Sequence, residues 1–502
     1  MAVRVRYAPS PTGSLHLGGL RTALYNYLFA KGADGAFLLR IEDTDQKRLV
    51  HGAAEQLERT LARFGMVPDE PVQMQSQRLD LYGRAAEELV RDGHAYPCFC
   101  SAERLDAVRQ RQARGGSRTA YDRKCRSLAP EEAAARVAHG EAHTVRLKAP
   151  LEGATLVRDG IRGVVSFPNN MMDDQVLQKS DGFPTYHLAS VVDDHDMDIS
   201  HVIRGDEWLS STPKHLTLYE MMGWRTPKFF HLPLLLNKDH SKLSKRNSDA
   251  SVEALLEASG YEIPAITNFV ALLGWSPAHQ AHLGHLGGDQ DADGQQDLVY
   301  PTMDSLVRAF DLSKCSRKGA VVDMDFLHFL NGQHIRRMDR ALLARLARQQ
   351  LAPLDTSAFP DDYVEQAVSL VVERVFHLSD VGETVRHFVT DGADWERDAT
   401  ATTAVLAGHP DPAAVLRAAS RALGDLKSWD AATLKTALRG VRTAAQAEAG
   451  GAELSVQQVM LLVRWATTGA TKGPQLADAL ALLGRRRVMD RLAQGLQIVS
   501  VD

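Results

Sequence analysis

Apolar and polar residues alternate at the start of the chain and then change period. Residues 3–7, VRVRY, alternate apolar and charged side chains, which is typical of a β-strand. The prolines and glycine of residues 8–13, APSPTG, end this pattern and predict a turn. Apolar residues then recur at the spacing of one helical face: Leu20, Ala23, Leu24, Tyr27 and Leu28. The stretch therefore predicts a strand, a tight turn and a helix that begins near Gly18.

The hydrophobic pattern divides the rest of the chain into further parts. Residues 36–41, AFLLRI, are a continuous apolar run suited to a buried parallel strand, and two amphipathic segments follow, so residues 1–93 predict half of a doubly wound α/β domain. Strand-like pieces interrupt this rhythm over 94–189, as an insertion would, and the rhythm resumes over 190–246. Residues 247–325 are mixed. The Leu- and Ala-rich segments of 326–502 predict a helical half, so the fold class is α/β plus all-α.

Composition and charge narrow the class of protein. The chain has 502 residues, is 44% hydrophobic and carries a formal net charge of −5. It is long enough for several cores, and locally basic stretches leave RNA binding open despite the negative net charge. The sequence contains no long apolar run, and its first residues enter a strand without a signal-peptide pattern. We therefore expect a cytoplasmic protein that does not associate with membranes, and we also expect it to be a monomer.

The turn before the first helix has the chemistry of a phosphate site. A helix N-terminus presents unpaired N–H groups and the positive end of the helix dipole, and glycines let the backbone approach a phosphate. His16 would lie at this mouth, beside Gly18. The alternative is an ordinary strand-to-helix corner, in which the glycines serve packing and His16 is a surface residue.

A second stretch favours the phosphate site. Residues 240–246, HSKLSKR, predict a cationic loop far downstream, although such a short charge run is by itself usually solvated surface. Together, SPTGSLHLGG at 10–19 and KLSKR at 242–246 resemble the two signature motifs of class I aminoacyl-tRNA synthetases, HIGH and KMSKS. Gly19 replaces the second His of HIGH, which leaves His16 and backbone groups to bind phosphate.

The flanking segments are similar to those of bacterial glutamyl-tRNA synthetases. They are YAPSPTG, LLRIEDTD at 38–45, YHLASVVDDH at 186–195 and VIRGDEWLSSTPKH at 202–215. The resemblance implies activation of L-glutamate with ATP and Mg²⁺ to glutamyl-adenylate, followed by transfer to the 3′ end of tRNA(Glu). It also implies five regions: a Rossmann-type catalytic domain in two halves (1–93 and 190–246), an acceptor-stem-binding insertion (94–189), a stem-contact domain (247–325) and a helical anticodon-binding region (326–502).

The resemblance also assigns roles to residues of this chain. The implied catalytic residues are His16, Lys242 and Lys245. ATP would be bound by His16, Gly18, Glu207, Leu235, Lys242, Ser244, Lys245 and Arg246. Glutamate would be bound by Arg6, Ala8, Ser10, Glu42, Tyr186, Ser190 and Arg204. Family members have Asn in the place of Ser190, so this contact differs here.

The residues themselves also suit a dicarboxylate. Glu42 directly follows the predicted strand 36–41, and ligands of open parallel sheets bind beyond the carboxyl ends of strands. Arg6 and Arg204 lie at the ends of two other predicted strands. Two arginines and one carboxylate around a cleft would match two carboxylates and one ammonium, although each arginine could instead be a surface ion-pair partner. We interpret Asp43 and Asp45 as an N-cap cluster of the following helix.

Three of the four cysteines cluster in the sequence. Cys98 and Cys100 are separated from Cys125 by an Arg-rich stretch, and three thiolates hold structural zinc if a fourth ligand exists. Some members of the resembling family have His two residues after the last Cys, but Ser127 stands there. Tyr121, in a Y-x3-C pattern found in related enzymes, is the fourth ligand that we expect. Three buried free thiols are the alternative.

The helical C-terminal half distinguishes the expected function from the alternative functions. Glutaminyl-tRNA synthetases carry β-barrels at this end, and related enzymes that glutamylate a modified tRNA base lack it. A non-catalytic tRNA-binding paralogue or a small-molecule nucleotidylyltransferase is disfavoured because both motifs and a helical half coexist. Whether the glutamine tRNA is also charged stays open. The candidate anticodon contacts, which could equally be solvated helix faces, are Arg336, Arg337, Arg340 and Arg485–Arg487.

Overall fold

The computed structural model divides the chain into two compact units. One unit comprises Met1–Ser259 and Ile263–Leu327, and the other comprises Gly260–Glu262 and His328–Asp502. The residues that the structure describes are 2–116, 118–243, 251–257, 260–277, 298–352, 354–392, 395–407, 409–449 and 453–500. Its strands are β1 Arg4–Tyr7, β2 Ala36–Ile41, β3 Gln73–Met74, β4 Ala95–Cys98, β5 Thr144–Leu147, β6 Ala154–Asp159, β7 Gly163–Pro168, β8 Val176–Gln178, β9 His201–Gly205, β10 Lys228–Leu232, β11 Leu235–Leu236 and β12 Ala320–Val321.

Helices alternate with these strands in the first unit and make up the second. The helices that lie in the first unit are α1 Leu17–Gly32, α2 Ala53–Arg63, α3 Leu79–Arg91, α4 Ala102–Arg114, α5 Pro130–Ala138, α6 Tyr186–Asp196, α7 Thr212–Met221, α8 Val252–Glu257, α9 Ile263–Leu272 and α10 Met303–Ala309. The later helices are α11 Met324–Arg336, α12 Arg340–Leu351, α13 Asp361–Val371, α14 Val381–Val385, α15 Ala399–Ala407, α16 Pro412–Gly424, α17 Ala431–Glu448, α18 Val456–Thr468, α19 Leu476–Leu483 and α20 Arg485–Val499.

Parallel strands form the centre of the first unit. β1, β2 and β3 pair in parallel in that order, and β9 pairs in parallel with β10. The backbone N–H of Ser200, just before β9, donates to the carbonyl of Arg4 at 2.9 Å, and the N–H of Arg4 donates to Ser200 Oγ at 2.8 Å. The two groups of strands therefore lie side by side. The carboxyl ends of β1, β2, β9 and β10 meet at one edge, where open α/β sheets bind their ligands.

A hairpin from the region predicted to be an insertion extends this sheet. β6 and β7 pair in antiparallel fashion, and β6 also pairs in parallel with β10 at Asp159 and Phe229. Gly160 allows this approach, because a Cβ there would lie 2.0 Å from the ring of Phe230. The other strands of the region, β4, β5 and β8, form a separate antiparallel sheet.

The acidic residues that follow β2 do not cap the next helix. α2 begins at Ala53 and its N-cap residue is Gly52, so the N-cap interpretation of Asp43 and Asp45 is wrong. Asp43 instead accepts hydrogen bonds from the backbone N–H of Ser76 at 2.7 Å and from its hydroxyl at 2.5 Å. A distant turn therefore uses the carboxylate, which a local reading of the sequence misses.

The second unit is helical. In the described part of the chain no strand follows β12, as the amphipathic pattern predicted. Its core is formed mainly by small and branched apolar side chains, with the indole of Trp465 fully buried among them. No helix in the described residues has both the length and the apolar character needed to cross a lipid bilayer.

Candidate functional site

The HLGG turn forms the N-terminus of α1. His16 is the N-cap residue, and its Nδ1 accepts a hydrogen bond from the N–H of Gly19 at 3.1 Å. A Cβ at Gly19 would lie 2.8 Å from both the Leu15 side chain and the hydroxyl of Tyr7, so a second histidine at this position would require these side chains to move. His16 is thereby held at the positive end of α1, as a phosphate site requires.

The KLSKR segment starts beside this turn. Leu235 is buried, and its Cδ1 would lie 3.8 Å from a Cβ at Gly18. After β11 the chain reverses, and the N–H of Leu243 donates to the carbonyl of Leu235 at 3.0 Å, which places exposed Lys242 near the start of α1. The predicted ATP-binding residues Ser244, Lys245 and Arg246 lie outside the described residues.

The chain returns to the same turn after this segment. The N–H of Val252 donates to the carbonyl of Leu15 at 3.0 Å, and His16 forms an isolated β-bridge with Ser251. The described residues on both sides of 244–250 are therefore held close to the N-terminus of α1. Glu207, the remaining predicted ATP ligand, is exposed and follows β9, where its carboxylate lies over Gly205.

A buried network of charges lies at the carboxyl ends of β1 and β2. Arg6 forms a bidentate pair with Asp194, with Nε and Nη2 at 2.8 and 3.3 Å from the two carboxylate oxygens. Arg40 donates to Asp194 at 2.6 Å and to Glu42 at 3.3 Å. Burial raises the pKa of Glu42 against the charges of Arg40 and Arg6. For Asp194, burial acts in the same direction, but Arg6 and Arg40 outweigh it and lower the pKa.

Two of these residues were not predicted as site residues. Arg40 occupies the apolar run AFLLRI and is fully buried, and Asp194 belongs to the VDDH segment of α6. A charged residue within an otherwise apolar strand was the available signal for Arg40. The predicted residues Ala8 and Ser10 flank Pro9, whose carbonyl accepts from the N–H of Glu42 at 2.9 Å, so they lie next to this network.

Arg204 is bound differently from Arg6. It lies at the end of β9, is 5% exposed, and donates from Nη1 to the hydroxyl of Tyr186 at 2.7 Å. Its other hydrogen bonds go to neutral acceptors: His231 Nε2 at 3.1 Å, Thr212 Oγ1 at 2.9 Å and the carbonyl of Trp208 at 3.3 Å. Within the described part of the chain no carboxylate forms an ion pair with Arg204. Its charge is thus available to an anionic ligand.

One face of α6 connects the two arginines. Tyr186, Ser190 and Asp194 are spaced four residues apart and therefore lie on the same side of the helix. Tyr186 contacts Arg204 and Asp194 contacts Arg6, as described above. Ser190 lies between them, is fully buried, and its hydroxyl has no hydrogen-bond partner among the described residues. The structure thus brings Arg6, Glu42, Tyr186, Ser190 and Arg204 to one place.

The predicted zinc ligands also come together. The sulfurs of Cys98, Cys100 and Cys125 lie within 4.8 Å of one another, and those of Cys100 and Cys125 are 3.6 Å apart. The hydroxyl oxygen of Tyr121 is 3.3 Å from the sulfur of Cys98 and 3.5 Å from that of Cys100. Tetrahedral zinc with Zn–S bonds of about 2.3 Å requires sulfurs about 3.8 Å apart. The donor set and its spacing fit such an ion.

Several of the arginines predicted to contact the anticodon already form hydrogen bonds or ion pairs within the second unit. Arg487 is buried and donates to the carbonyls of Leu483 and Phe388 and to the hydroxyl of Tyr363, so for this residue a nucleic-acid contact is wrong. Arg336 pairs with Glu373 at 2.9 Å. The exposed residues of the predicted set are Arg337, Arg485 and Arg486.

Comparison with known proteins agrees with this architecture. Residues 2–298 match the tRNA synthetases class I (E and Q) catalytic domain family, and residues 342–496 match an anticodon binding domain family. The chain is 39% identical to glutamate–tRNA ligases from Chlorobium luteolum (99% of this chain, 98% of the relative) and Finegoldia magna (98% and 99%). A crystal structure of a glutamate tRNA ligase from Elizabethkingia meningosepticum in complex with its amino acid is 33% identical, with a TM-score of 0.80 and coverage of 99% and 100%. The chain therefore belongs to the glutamate–tRNA ligase family of class I tRNA synthetases.

Proposed function

We propose that the protein joins L-glutamate to tRNA(Glu) in two steps, through a glutamyl-adenylate. The observation that carries this proposal is the placement of Arg6, Glu42 and Arg204 around one site whose sheet edge also bears the α1 N-terminus. A ligand with two carboxylates and one ammonium complements those three charges, and a triphosphate complements the helix end. The family membership of the whole chain supports the same reaction.

In the first step the α-carboxylate of glutamate attacks the α-phosphorus of ATP, and pyrophosphate leaves. A carboxylate is already ionised at pH 7, so this step needs no general base. The protein contributes positioning and charge stabilisation. His16 and the N–H groups at the start of α1 would hold the triphosphate from one side, and Lys242 and Lys245 would close over it from the other. Mg²⁺ bound to phosphate oxygens would supply charge neutralisation.

Different groups would bind the parts of glutamate. We assign Glu42 and Ser10 to the ammonium group, Arg204 to the α-carboxylate and Arg6 to the side-chain carboxylate. Because the oxygen of Tyr186 accepts from Arg204, its own proton can be donated to the side-chain carboxylate. Ser190 would contribute its hydroxyl to the same pocket, directly or through water, which fits a buried hydroxyl that has no hydrogen-bond partner among the described residues.

The other regions would bind tRNA. We propose that 94–189 contacts the acceptor stem, 247–325 the stem below it and 326–502 the anticodon, with the enzyme acting as a cytoplasmic monomer. Exposed arginines of the C-terminal half, Arg337, Arg485 and Arg486, are candidate phosphate contacts.

We also propose that Cys98, Cys100, Tyr121 and Cys125 bind one structural zinc ion. The ion would tie β4 to the segment after α4 and so order the predicted acceptor-binding region. Metal analysis of protein purified without chelator should find about one equivalent of zinc, and Cys100→Ser should lose it. Cys315→Ser is the matched control, because Cys315 lies outside the cluster. Wild-type protein without zinc would exclude the ion and leave three free thiols.

The proposed reaction is tested with purified full-length protein, ATP, radiolabelled amino acid and tRNA. Glutamate should be attached to tRNA(Glu) far more efficiently than glutamine. A parallel assay with tRNA(Gln) shows whether that tRNA is charged as well. If neither tRNA accepts glutamate while the protein still binds tRNA, the protein is a binding paralogue instead.

A further inference from the structure

A buried pair of residues behind Arg204 has no role in the reaction described above. His231 on β10 lies opposite Arg204 on β9, and both His231 and Asp159 are buried. His231 Nδ1 is 2.6 Å from an Asp159 carboxylate oxygen, and His231 Nε2 is 3.1 Å from Nε of Arg204. The three side chains form a line from the β6–β7 hairpin to the site.

The protonation of His231 follows from Asp159 at Nδ1 and Arg204 at Nε2; the hydroxyl of Thr212, 3.2 Å from Nε2, can donate or accept and so does not set the tautomer. A guanidinium has only donors, so the Nε–H of Arg204 needs an acceptor, and Nε2 of His231 accepts only when it carries no proton. A carboxylate is an acceptor, so Nδ1 must carry a proton and donate the hydrogen bond to Asp159. Burial lowers the pKa of His231, although its hydrogen bond to Asp159 opposes this, so the ring is neutral at pH 7. Asp159 therefore selects the tautomer that Arg204 needs.

Asp159 is itself held in place by its own turn. Its Oδ1 accepts from the N–H groups of Ile161 at 2.9 Å and Arg162 at 2.8 Å. The N–H of Gly160 donates to the carbonyl of Phe229 on β10 at 2.9 Å, which fixes the hairpin against the strand that carries His231. The carboxylate is thus held in a fixed position by its own turn and by the attachment of the hairpin to β10, as a group that orients another must be.

We propose that Asp159 and His231 are positioning residues that orient the guanidinium of Arg204 for the substrate carboxylate. This proposal rests on the proposed function, in which Arg204 binds glutamate. With Nε held by His231 and one edge held by Thr212 and Trp208, the remaining edge of the guanidinium faces Tyr186. Neither positioning residue contacts substrate in this scheme.

An isosteric substitution of Asp159 distinguishes a positioning role from a role in packing. Asp159→Asn keeps an oxygen for the two backbone N–H groups but turns an amide donor toward His231, so the ring must move its proton to Nε2 and confront the Nε–H of Arg204 with another donor. The comparable substitution in a Ser-His-Asp triad acts in this way. We expect the glutamate KM to rise about 10-fold or more, because a charge-assisted hydrogen bond is lost. The KM values for ATP and tRNA should stay within about twofold, and thermal unfolding should be close to wild type.

Two matched comparisons sharpen the test. Asp69→Asn is the control, since Asp69 also accepts a backbone N–H, from Phe37 at 2.7 Å, but has no link to Arg204, and its glutamate KM should not change. At His231, Gln keeps an oxygen near the place of Nε2 and Leu does not, so His231→Gln should retain more glutamate affinity than His231→Leu. In the His231→Gln background, Asp159→Asn should add little, because no ring tautomer remains to be selected.

The tautomer itself is measured independently of activity. Nitrogen-15 spectra of histidine-labelled full-length protein should show His231 protonated at Nδ1, and Asp159→Asn should move the proton to Nε2. Protonation at Nε2 in the wild type would overturn the proposal, as would an unchanged glutamate KM in folded Asp159→Asn protein. Equal rises in all three KM values would show a merely structural role. If the wild type ligates no glutamate, the proposed function fails while the tautomer result stands separately.

Discussion

Arg6 and Arg204 carry the same charge, but their partners predict different costs for the same substitution. Arg6 is 3% exposed and pairs with Asp194, which is 4% exposed. Arg204 donates only to neutral acceptors in the described part of the chain. Replacing Arg6 therefore removes one of the two guanidinium groups that contact the buried carboxylate of Asp194. Replacing Arg204 leaves no carboxylate of the described residues without its partner.

These partners set the expected stabilities. Breaking a buried ion pair by removing one member costs about 3 to 5 kcal/mol. Because Arg40 still contacts Asp194, we expect Arg6→Gln to lower the free energy of unfolding by about 3 kcal/mol, at the lower end of that range. Arg204→Gln loses charge-assisted hydrogen bonds to neutral acceptors, but it also removes a charge whose burial is unfavourable. The two effects oppose each other, so we expect a smaller loss than for Arg6→Gln, of about 1 kcal/mol.

Substrate discrimination should differ as well. Hydrogen bonds to charged groups contribute about 1.5 to 3 kcal/mol each, or roughly 10- to over 100-fold in kcat/KM. Arg6→Gln should lower kcat/KM for glutamate far more than it changes the weak activity or the inhibition expected with glutamine, because only glutamate has a side-chain carboxylate. Arg204→Gln should impair both amino acids alike, because both have an α-carboxylate.

Urea unfolding and steady-state aminoacylation with both amino acids measure these quantities. Arg4→Gln is the control: Arg4 is on the same strand but pairs with partly exposed Glu70, so stability should change by at most about 1 kcal/mol and kcat/KM should not change. Equal stability losses in the Arg6 and Arg204 variants would refute the electrostatic reasoning. If the Arg6 variant loses both amino acids equally and the Arg204 variant loses discrimination, the two arginines have the opposite roles.

Four further predictions concern other parts of the chain. His16→Ala and Lys245→Ala should each slow adenylate formation by about 10² to 10³, measured by pyrophosphate exchange, with little change in glutamate affinity. The control Lys238→Ala, which removes an ammonium that pairs with Asp323 and Asp325, should not slow it. Wild-type turnover in either of the first two variants would remove that residue from the mechanism. Tyr121→Phe should weaken zinc retention during dialysis against chelator, and unchanged retention would exclude the phenol as a ligand. A fragment ending near residue 325 should fold but aminoacylate poorly, because its KM for tRNA is raised. Each lost phosphate contact should reduce the slope of log binding constant against log salt concentration by about 0.7 to 0.9, and an unchanged slope would mean that the C-terminal half does not contact tRNA. Burial and nearby cations, Arg204 among them, hold the pKa of His215 well below its usual value of about 6.5. The stability that neutral His215 contributes is therefore complete above that pH and is lost at up to about 1.4 kcal/mol per pH unit as the pH falls. His215→Gln should make the free energy of unfolding less dependent on pH, and an unchanged pH dependence would contradict this prediction.

Most of the site residues found from the sequence lie near the ends of strands or at the start of a helix, whereas Ser190 lies within α6. Glu42 and Arg204 follow apolar stretches, Arg6 lies in the alternating strand β1, and His16 directly precedes α1. Arg40, Asp159 and His231 also lie in or at the end of strands, and Asp194 lies near the end of α6. The sequence did not identify them because each acts through a partner more than twenty residues away, apart from the contact of Arg40 with Glu42. Local patterns carry no information on such pairings.

The sequence by itself determined the helical second half, the strand–turn–helix that begins the chain and the family, because periodicity, turn residues and motifs are local. It also selected the cysteines and Tyr121 that the fold brings together. Only the tertiary structure decided that Arg6 pairs with Asp194 while Arg204 pairs with no carboxylate of the described residues, that Asp43 binds a distant turn, and that Arg487 is buried. The reason is physical: burial and long-range pairing determine how a charge is balanced, and both arise only when segments distant in sequence pack together.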